Sequence, residues 1–205
     1  AINGNVMPQT LQIYKSLVVI KATGTKSPFF CFHGVGGNVL NYIALIPAVK
    51  NERPLMALQS VGLLNVNDIP LKTIEEMASA YVREIRLIQP NGPYLLAGGS
   101  MGGMVAFEAA IQLRDAGEKV EKLIMFDTFG PNLDVQNYQV EDERPFADKL
   151  KNALIVKTKK CLLNAQVALF RFFGKLPPLP ALLHEIETTN YKALWKYYPK
   201  KRYKG

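Results

Sequence analysis

The sequence contains few cysteines and histidines and no long uninterrupted apolar stretch. Its two cysteines are too few for a disulfide framework, and they lack the spacing of metal ligands. No segment approaches the roughly 18 consecutive apolar residues of a membrane span. The first residues, AINGNVMPQT, lack the basic segment followed by an apolar segment that a signal peptide has. We therefore expect a soluble, cytoplasmic protein with no metal site and no membrane contact.

The two thiols have different surroundings in the sequence. Cys31 lies within the apolar stretch FFCF, which predicts a core position. Cys161 follows Lys157, Lys159 and Lys160, and such a basic surrounding is one in which accessible cysteines are reactive. A thiol buried on a helix is the favoured interpretation of Cys161, because free cysteine behaves as a small hydrophobic residue.

Positive charge is concentrated in the C-terminal part of the chain. Residues 1–145 hold 12 Lys and Arg against 14 Asp and Glu, a balance of −2, whereas residues 146–205 hold 13 against 3, a balance of +10. No helix-turn-helix, zinc-ligand or RNP pattern accompanies this charge, so we expect no nucleic-acid binding. An acidic protein partner, a phosphorylated substrate arm and a solvated face with no partner all remain compatible with it.

Strand-like and helix-like segments alternate through residues 1–130, the predicted core. Apolar runs bounded by turn residues predict strands at 11–20, 29–32, 54–59, 94–97 and 122–126. Helical spacing predicts helices at 38–49, capped by Asn38, at 73–88, and from Ser100 to a stop at Gly117. The helix at 73–88 would bury Ile74, Met77, Ala78, Tyr81, Val82, Ile85 and Leu87. This alternation is typical of a doubly wound, mostly parallel α/β sheet with helices on both faces.

Within residues 131–198 the alternation stops, and residues 145–198 show helical spacing and no convincing strand. The stretch GKLPPLP, residues 174–180, divides them in two. We interpret this region as a helical lid inserted into the same domain, because such segments gate access to a site and exclude water. Phe170, Phe172 and Phe173 would either line an acyl channel or simply pack. Residues 199–205 would begin the return to the sheet.

The stretch AGGSMGGMVAF, residues 97–107, fits the pattern G-x-S-x-G through Gly98, Ser100 and Gly102. It lies between a short apolar strand and a helix, which is the context of a nucleophile elbow. Ser100 would be the nucleophile, and the N–H of Met101 at the start of the helix would form half of an oxyanion hole. The alternative is a glycine-rich loop that only lets the helix pack close to the sheet.

Two further segments fit the remaining parts of a serine hydrolase. Asp127 ends the strand LIMFD, and it would emerge at the same sheet edge as Ser100, in the chain order nucleophile, acid, histidine. There it would orient a histidine, although an Asp after a strand is also a common turn or cap residue. The stretch HGVGG follows the strand FFCF. Its Val35 N–H would be the second oxyanion donor, with Gly34 and Gly36 allowing close approach of the backbone.

Three segments together resemble one family. They are FFCFHGVGG, IEEMASAYVREIRLIQPNGPYLLAGGSMGGMVAFEAAIQLRDAGEKVEKLIMFDTFGP and LWKYYPKKRYKG, and they span about 28–131 and 195–205. The chain looks like a thioesterase domain of the nonribosomal peptide and polyketide synthase type, an α/β-hydrolase. The resemblance implies Ser100 as nucleophile, Asp127 as triad acid, and the amides of Met101 and Val35 as oxyanion donors.

The resemblance also implies a substrate and a partner. A carrier protein would deliver an acyl or peptidyl chain as a phosphopantetheine thioester, and the domain itself would bind no cofactor. Ser100 would take the chain as an ester, which water or an internal nucleophile would release by hydrolysis or cyclisation. A general carboxylesterase or lipase of the same fold, and a non-catalytic module that binds a carrier protein through the basic lid, remain as alternatives.

The sequence departs from the family pattern in two respects. Gly99 stands where the family commonly has a larger residue, which would open one wall of the pocket. In the family, the triad histidine follows the lid and two further strands, whereas the two histidines here are His33, in the oxyanion loop, and His184, in the lid. We therefore expect a truncated domain that lacks its last strands and its base and acylates slowly. His184 as the base is the less favoured alternative.

Overall fold

The structure, a computed structural model, describes residues 14–49, 52–65, 67–128, 157–162, 164–165, 168 and 179–197. Its strands form one five-stranded sheet: β1 (Leu17–Lys21), β2 (Phe29–Phe32), β3 (Leu55–Leu58), β4 (Tyr94–Gly99) and β5 (Val120–Phe126). The strand order is β1-β3-β2-β4-β5, in which β1 is antiparallel to β3 and every other pair is parallel. The prediction of a mostly parallel sheet is confirmed.

Helices lie on both faces of the sheet, as the alternating pattern predicted. A 3-10 helix (Leu40–Leu45) runs into the short α1 (Ile46–Val49), and longer helices are α2 (Ile74–Ile88), α3 (Met101–Asp115) and α4 (Leu179–Lys196). Residues of α2 and α3 share one apolar cluster with one face of the sheet, and residues around the 3-10 helix and α1 cover the other. Cys31 is buried in the second cluster, as predicted, and burial raises the pKa of its thiol to about 12.

The first strand begins later than predicted. Its residues were expected from position 11, but the ladder starts at Leu17. The carboxylate of Glu84 accepts the backbone N–H groups of Lys15, Ser16 and Leu17 at 2.9, 3.1 and 2.8 Å. A side chain from α2 therefore takes donors that the sequence pattern assigned to the sheet. Residues 11–13 lie outside the described residues.

The helix predicted at 38–49 is a 3-10 helix followed by one α-helical turn. Val39 rather than Asn38 is the N-cap, and it makes no side-chain capping bond. Pro47 has no N–H with which to continue an α-helical ladder, and the N–H of Ile46 bonds the carbonyl of Ile43 in the tighter pattern. The predicted segment is therefore helical, but the prediction of Asn38 as its cap is wrong.

The two central helices match their predicted bounds closely. Thr73 caps α2 by accepting the N–H of Glu76 at 3.1 Å. The prediction that Leu87 belongs to the buried face is wrong, because its position is about 200° around the helix from Ile85 and it is 58% exposed. Gly117, at φ +81°, follows the end of α3 as predicted.

Part of the predicted lid is helical in the structure. Residues 157–162 are helical, and Pro180, expected in a linker, lies instead in the first turn of α4, where a proline is well tolerated. Cys161 is exposed, so the expectation of a buried thiol is wrong. The predicted channel residues Phe170, Phe172 and Phe173, and segments 131–156 and 199–205, lie outside the described residues. In the part of the chain that is described, no helix has the length and hydropathy that crossing a membrane requires.

Candidate active site

The predicted site residues lie at the carboxyl ends of neighbouring parallel strands. β2 pairs with β4, and β4 pairs with β5. After β2 the chain crosses to the face covered by the 3-10 helix, whereas after β4 it enters α3 on the opposite face. The two connections diverge at the carboxyl ends of these strands, which is the position where open α/β sheets bind ligands.

Ser100 sits in the elbow, residues 98–102, with φ 53° and ψ −128°. This backbone conformation is unfavourable for a residue with a side chain. It is held in place because the Ser100 N–H donates to the carbonyl of Phe126 at 3.1 Å. The Ser100 carbonyl in turn accepts from the Gly103 N–H at 3.1 Å and from the Thr128 hydroxyl at 3.0 Å. The residue itself is exposed.

The elbow glycines are required by contact between backbones. A Cβ on Gly98 would lie 2.1 Å from the carbonyl oxygen of Gly102. A Cβ on Gly102 would lie 2.2 Å from the carbonyl oxygen of Phe32 and 2.7 Å from that of His33. Real Cβ atoms do not approach other atoms so closely, and backbone atoms cannot rotate away. The G-x-S-x-G pattern therefore follows from the packing of α3 against the ends of β2 and β4.

Met101 is the first residue of α3, and its side chain is 1% exposed. The first N–H groups of an α-helix have no partner within the helix, and they lie at the positive end of its dipole. The Met101 N–H is thus next to the exposed serine in the part of the helix that favours negative charge. This is the location expected of an oxyanion donor.

Asp127 follows β5 directly and is exposed, with φ 50°. Gly99 of β4 is paired with Phe126 of β5, so Asp127 and Ser100 are the next residues on adjacent strands. The hydroxyl of Thr128 bonds the carbonyls of Ser100 and Phe126, which ties the two strand ends together. The structure therefore brings Asp127 and Ser100 to one edge of the sheet, and the catalytic role of each stays a prediction.

The oxyanion loop, residues 33–37, folds into a tight turn. The N–H of Gly37 donates to the carbonyl of Gly34 at 2.9 Å, and the N–H of Ser60 donates to the carbonyl of Gly37 at 2.8 Å. The Gly34 carbonyl and the Val35 N–H belong to one planar peptide and point in opposite directions. Holding that carbonyl inside the turn directs the Val35 N–H outward.

The buried side chain of His33 holds this turn by a hydrogen bond to the Gly34 carbonyl. It is fully buried, with Nδ1 2.7 Å from the carbonyl oxygen of Gly34 and Nε2 2.7 Å from the hydroxyl of Tyr81. A carbonyl only accepts, so Nδ1 carries the proton and the Tyr81 hydroxyl donates to Nε2. Burial lowers the pKa of His33 to about 4, so the ring is neutral near pH 7. Both ring nitrogens are engaged, which leaves His33 a structural role that the sequence did not reveal.

The glycine that this loop requires for steric reasons is Gly37, and not Gly34 or Gly36 as predicted. A Cβ on Gly34 or Gly36 would meet its nearest neighbour at 3.7 Å, an ordinary contact. Gly37, which was not among the predicted site glycines, has φ +79°, and a Cβ there would lie 2.6 Å from Cγ2 of Ile186. The second glycine of the Gly36-Gly37 pair was the available signal.

Tyr42 joins the two strand ends that carry the loops. Its buried hydroxyl donates to the carbonyl of Phe32, the last residue of β2, and accepts the N–H of Gly99, the last residue of β4, at 3.3 Å. Burial raises the pKa of Tyr42 to about 12, so the hydroxyl keeps its proton. Its ring meets Phe126 edge-on, with centroids 6.2 Å apart. No sequence pattern indicated this role.

The predicted opening beside Gly99 is absent. A Cβ on Gly99 would lie 2.5 Å from Cε2 of Phe126, so the aromatic ring fills the space that a larger side chain would need. The prediction of a more open wall at this position is therefore wrong. Phe126 is the last residue of β5 and comes from the neighbouring strand.

α4 reaches the oxyanion loop from outside the sheet. The side-chain amide of Asn190 donates to the carbonyl of Val35 at 2.9 Å, and Ile186 packs against Gly37. Sequence reasoning missed both contacts. His184, on the same helix, has Nε2 buried without a hydrogen bond among the described residues. In those same residues, no three His, Cys, Asp or Glu side chains converge in a way that would hold a metal.

A doubly wound sheet whose serine lies in a strained turn between β4 and α3 defines an α/β-hydrolase. The sequence model of the thioesterase domain family matches residues 27–176. The chain therefore belongs to the thioesterase domain family, which confirms the resemblance derived from its motifs.

Relatives of this chain include large synthases. It is 39% identical over 116 residues to a dimodular nonribosomal peptide synthase of Bacillus subtilis, a match covering 57% of this chain and 5% of that protein. It is 41% identical over 117 residues to indigoidine synthase of Dickeya dadantii, covering 57% of this chain and 8% of that protein. The chain thus spans a small fraction of these relatives.

Solved structures share the fold. A four-domain nonribosomal peptide synthetase bound to AMP and glycine superposes with a TM-score of 0.68 at 25% identity, covering 92% of this chain and 16% of that one. The type II thioesterase BorB from the borrelidin biosynthetic cluster gives 0.65 at 18% identity, covering 93% and 74%. The second likeness, at low identity, supports the α/β-hydrolase fold alone.

Proposed function

We propose that this chain is a thioesterase that releases an acyl or peptidyl chain from the phosphopantetheine thioester of a carrier protein. The observation that carries the proposal is the exposed Ser100 at φ 53°, next to the first N–H of α3. Strain of this kind persists where the surrounding structure imposes it, and it is concentrated at catalytic positions. Family membership and the synthase relatives favour a carrier-bound substrate over a free ester.

The proposed reaction has two steps. Ser100 Oγ attacks the thioester carbonyl carbon and loses its proton, while the Met101 and Val35 N–H groups stabilise the negative oxygen that forms. The carbon–sulfur bond breaks, the thiol leaves with a proton, and the chain remains as an ester on Ser100. Water or a nucleophile within the chain then attacks that ester, which releases an acid or a ring and restores the serine.

Asp127 would orient and stabilise a histidine that accepts the serine proton. His33 does not serve as that base, because both of its nitrogens are engaged and burial lowers its pKa to about 4. His184 is disfavoured, because its Nε2 is buried without a partner among the described residues. We therefore propose that neither histidine of this sequence is the base, and that the 205-residue chain alone acylates slowly.

The partner in this proposal is an acyl or peptidyl carrier protein. Residues 146–205 carry a balance of +10, and Lys157, Lys159 and Lys160 are exposed on the helical segment 157–162. Lys192 and Lys196 are exposed on α4. A surface of one charge speeds encounter with an acidic partner and makes the association sensitive to salt.

The test labels the full-length protein with a serine-reactive fluorophosphonate and, separately, with an acyl-loaded carrier protein. Mass spectrometry should find each adduct on Ser100, and Ser100→Ala should abolish both adducts and product release. Ser79→Ala, a change on α2 away from the site, is the matched control and should leave both unchanged. The same experiment on the 205-residue chain should give acylation slower by several orders of magnitude.

Other results would point to a different function. Turnover of simple soluble esters with indifference to carrier-bound thioesters would indicate a general carboxylesterase. Salt-sensitive carrier binding that survives Ser100→Ala, without any acyl-enzyme in the unchanged protein, would indicate a non-catalytic binding module. Failure of Ser100 to form either adduct contradicts the proposal.

A further inference from the structure

We propose that Asn190 of α4 is a positioning residue for the oxyanion loop, which its side-chain amide locks through the Val35 carbonyl. The inference rests on the proposed role of the Val35 N–H as an oxyanion donor. Asn190 and Val35 are 155 residues apart in sequence, and their bond is 2.9 Å long. It links a helix of the predicted lid directly to the loop at the sheet edge.

The burial of Asn190 indicates that this bond is specific. The residue is fully buried, and its Nδ2 faces Val35 because a carbonyl oxygen only accepts. Its Oδ1 is also buried and has no hydrogen-bond partner among the described residues. An unpaired buried acceptor is unfavourable, so packing alone would favour an apolar side chain at this position. The hydrogen bond to the Val35 carbonyl therefore accounts for the presence of an amide side chain at this buried position.

Among the described residues, the Val35 carbonyl accepts a hydrogen bond from Asn190 and from no other group that is shown. The peptide before Val35 is held through the Gly34 carbonyl, which the Gly37 N–H and His33 Nδ1 both contact. The peptide after Val35 is held by Asn190. Together these bonds fix the two peptide planes on either side of the Val35 Cα. Glycine neighbours add no side chain that would restrict rotation of these planes, so the Asn190 bond limits how far the Val35 residue, and with it the Val35 N–H, can turn.

α4 meets the loop at a second point one helical turn earlier. Ile186 is fully buried and lies where a Cβ on Gly37 would be 2.6 Å from its Cγ2. Residues four apart share one helix face, so Ile186 and Asn190 present a single surface to the loop. The Ile186 contact packs α4 against the loop, and the Asn190 amide fixes the orientation of the peptide that follows Val35.

The chain supplies a matched control for the hydrogen bond. Tyr197, just after α4, donates its hydroxyl to a Glu108 carboxylate oxygen on α3 at 2.8 Å. Asn190→Leu and Tyr197→Phe each remove one bond by which the α4 region docks on the core. Only the first bond touches the oxyanion loop. A difference between the two variants therefore separates loop positioning from general docking of the helix.

The experiment measures acyl-enzyme formation from a loaded carrier protein by the full-length protein with each change. Asn190→Leu should lower kcat roughly 10-fold or more, with KM changed less than about twofold, because oxyanion donors act mainly in the transition state. Asn190→Asp, which replaces the donor with an acceptor facing a carbonyl, should lose at least as much. Tyr197→Phe should keep kcat within about twofold of the unchanged protein.

Amide hydrogen exchange supplies a readout that does not depend on activity. Exchange at residues 35–37 should become faster in Asn190→Asp and stay unchanged in Tyr197→Phe. The inference is overturned if Ser100 is acylated at the original kcat in both Asn190 variants, if Tyr197→Phe loses as much, or if exchange in the loop is unaltered. Absence of any acyl-enzyme in the unchanged protein would instead contradict the proposed function, and the exchange result would still decide whether Asn190 holds the loop.

Discussion

The elbow and the oxyanion loop lie at the same sheet edge, yet the forces that hold them differ. At Gly98 and Gly102 the elbow is fixed by backbone packed against backbone within and between β2, β4 and α3. The oxyanion loop is instead fixed by contacts from elements distant in the sequence: the Tyr81 side chain of α2, the Asn190 side chain of α4 and the backbone N–H of Ser60 after β3. Steric exclusion leaves a short local pattern in the sequence, whereas support by distant side chains leaves none.

The largest expected effect is in the elbow. Gly102→Ala forces a Cβ to within 2.2 Å of the Phe32 carbonyl oxygen, and we expect it to destabilise the fold by about 4 kcal/mol or more, or to prevent folding. Gly34→Ala, with 3.7 Å of clearance, should change stability by less than about 0.5 kcal/mol. Urea unfolding measures both. Similar losses in the two variants would remove the contrast between the loops.

The second largest effect is expected at Gly37, the glycine of the oxyanion loop at which an added Cβ would collide with another atom. Gly37→Ala combines a φ of +79° with a contact of 2.6 Å to Ile186, and should cost about 3 kcal/mol. Gly36→Ala serves as the control, because its Cβ would meet only Asn38 at 3.7 Å. Thermal unfolding of the pair measures the difference. Equal midpoints would mean that α4 does not press on the loop.

A pH effect should distinguish the oxyanion loop from the elbow. Burial lowers the pKa of His33 from 6.5 to about 4, so the unfolded chain binds a proton in this range that the folded chain does not. The stabilisation is complete above the unfolded pKa and declines as pH falls from about 6.5 towards 4. From about pH 7 to about pH 5 the loss should be roughly 2 kcal/mol.

His33→Gln is the comparison for this titration, because it keeps a polar side chain without an ionisable ring. Urea unfolding at the two pH values gives the slope for each protein, and carboxylates contribute equally to both. Between the two pH values the unchanged protein should lose roughly 2 kcal/mol more stability than the variant. Identical slopes would show that His33 is not held neutral in the folded state.

The smallest effect concerns the tautomer of His33. Tyr81→Phe removes the donor to Nε2 and leaves that nitrogen buried and unpaired, at a cost of about 1 to 2 kcal/mol. Tyr94→Phe removes a hydroxyl that bonds the carbonyls of Gln89 and Pro90 at the opposite end of the strand. Nitrogen NMR shifts of His33 should change in the first variant only. A change in both would place the control of the tautomer elsewhere.

The sequence predicted the sheet and the elbow well because both depend on local patterns. Apolar runs and turn residues marked four of the five strands within two residues at each end, and α2 and α3 followed from helical spacing. The start of β1 was missed because the donors there bond Glu84, 67 to 69 residues away. Asn190 was missed for the same reason, since its partner is 155 residues distant. Contacts that depend on the tertiary fold leave no periodicity to detect.

Tyr42 has a consequence for the geometry between the two loops. One phenol oxygen bridges the last residue of β2 and the last residue of β4, from which the Val35 and Met101 amides extend. The span between these amides is therefore set inside the protein, before either loop adopts its own shape. Widening this span would require a change in the hydrophobic interior beneath the two strand ends.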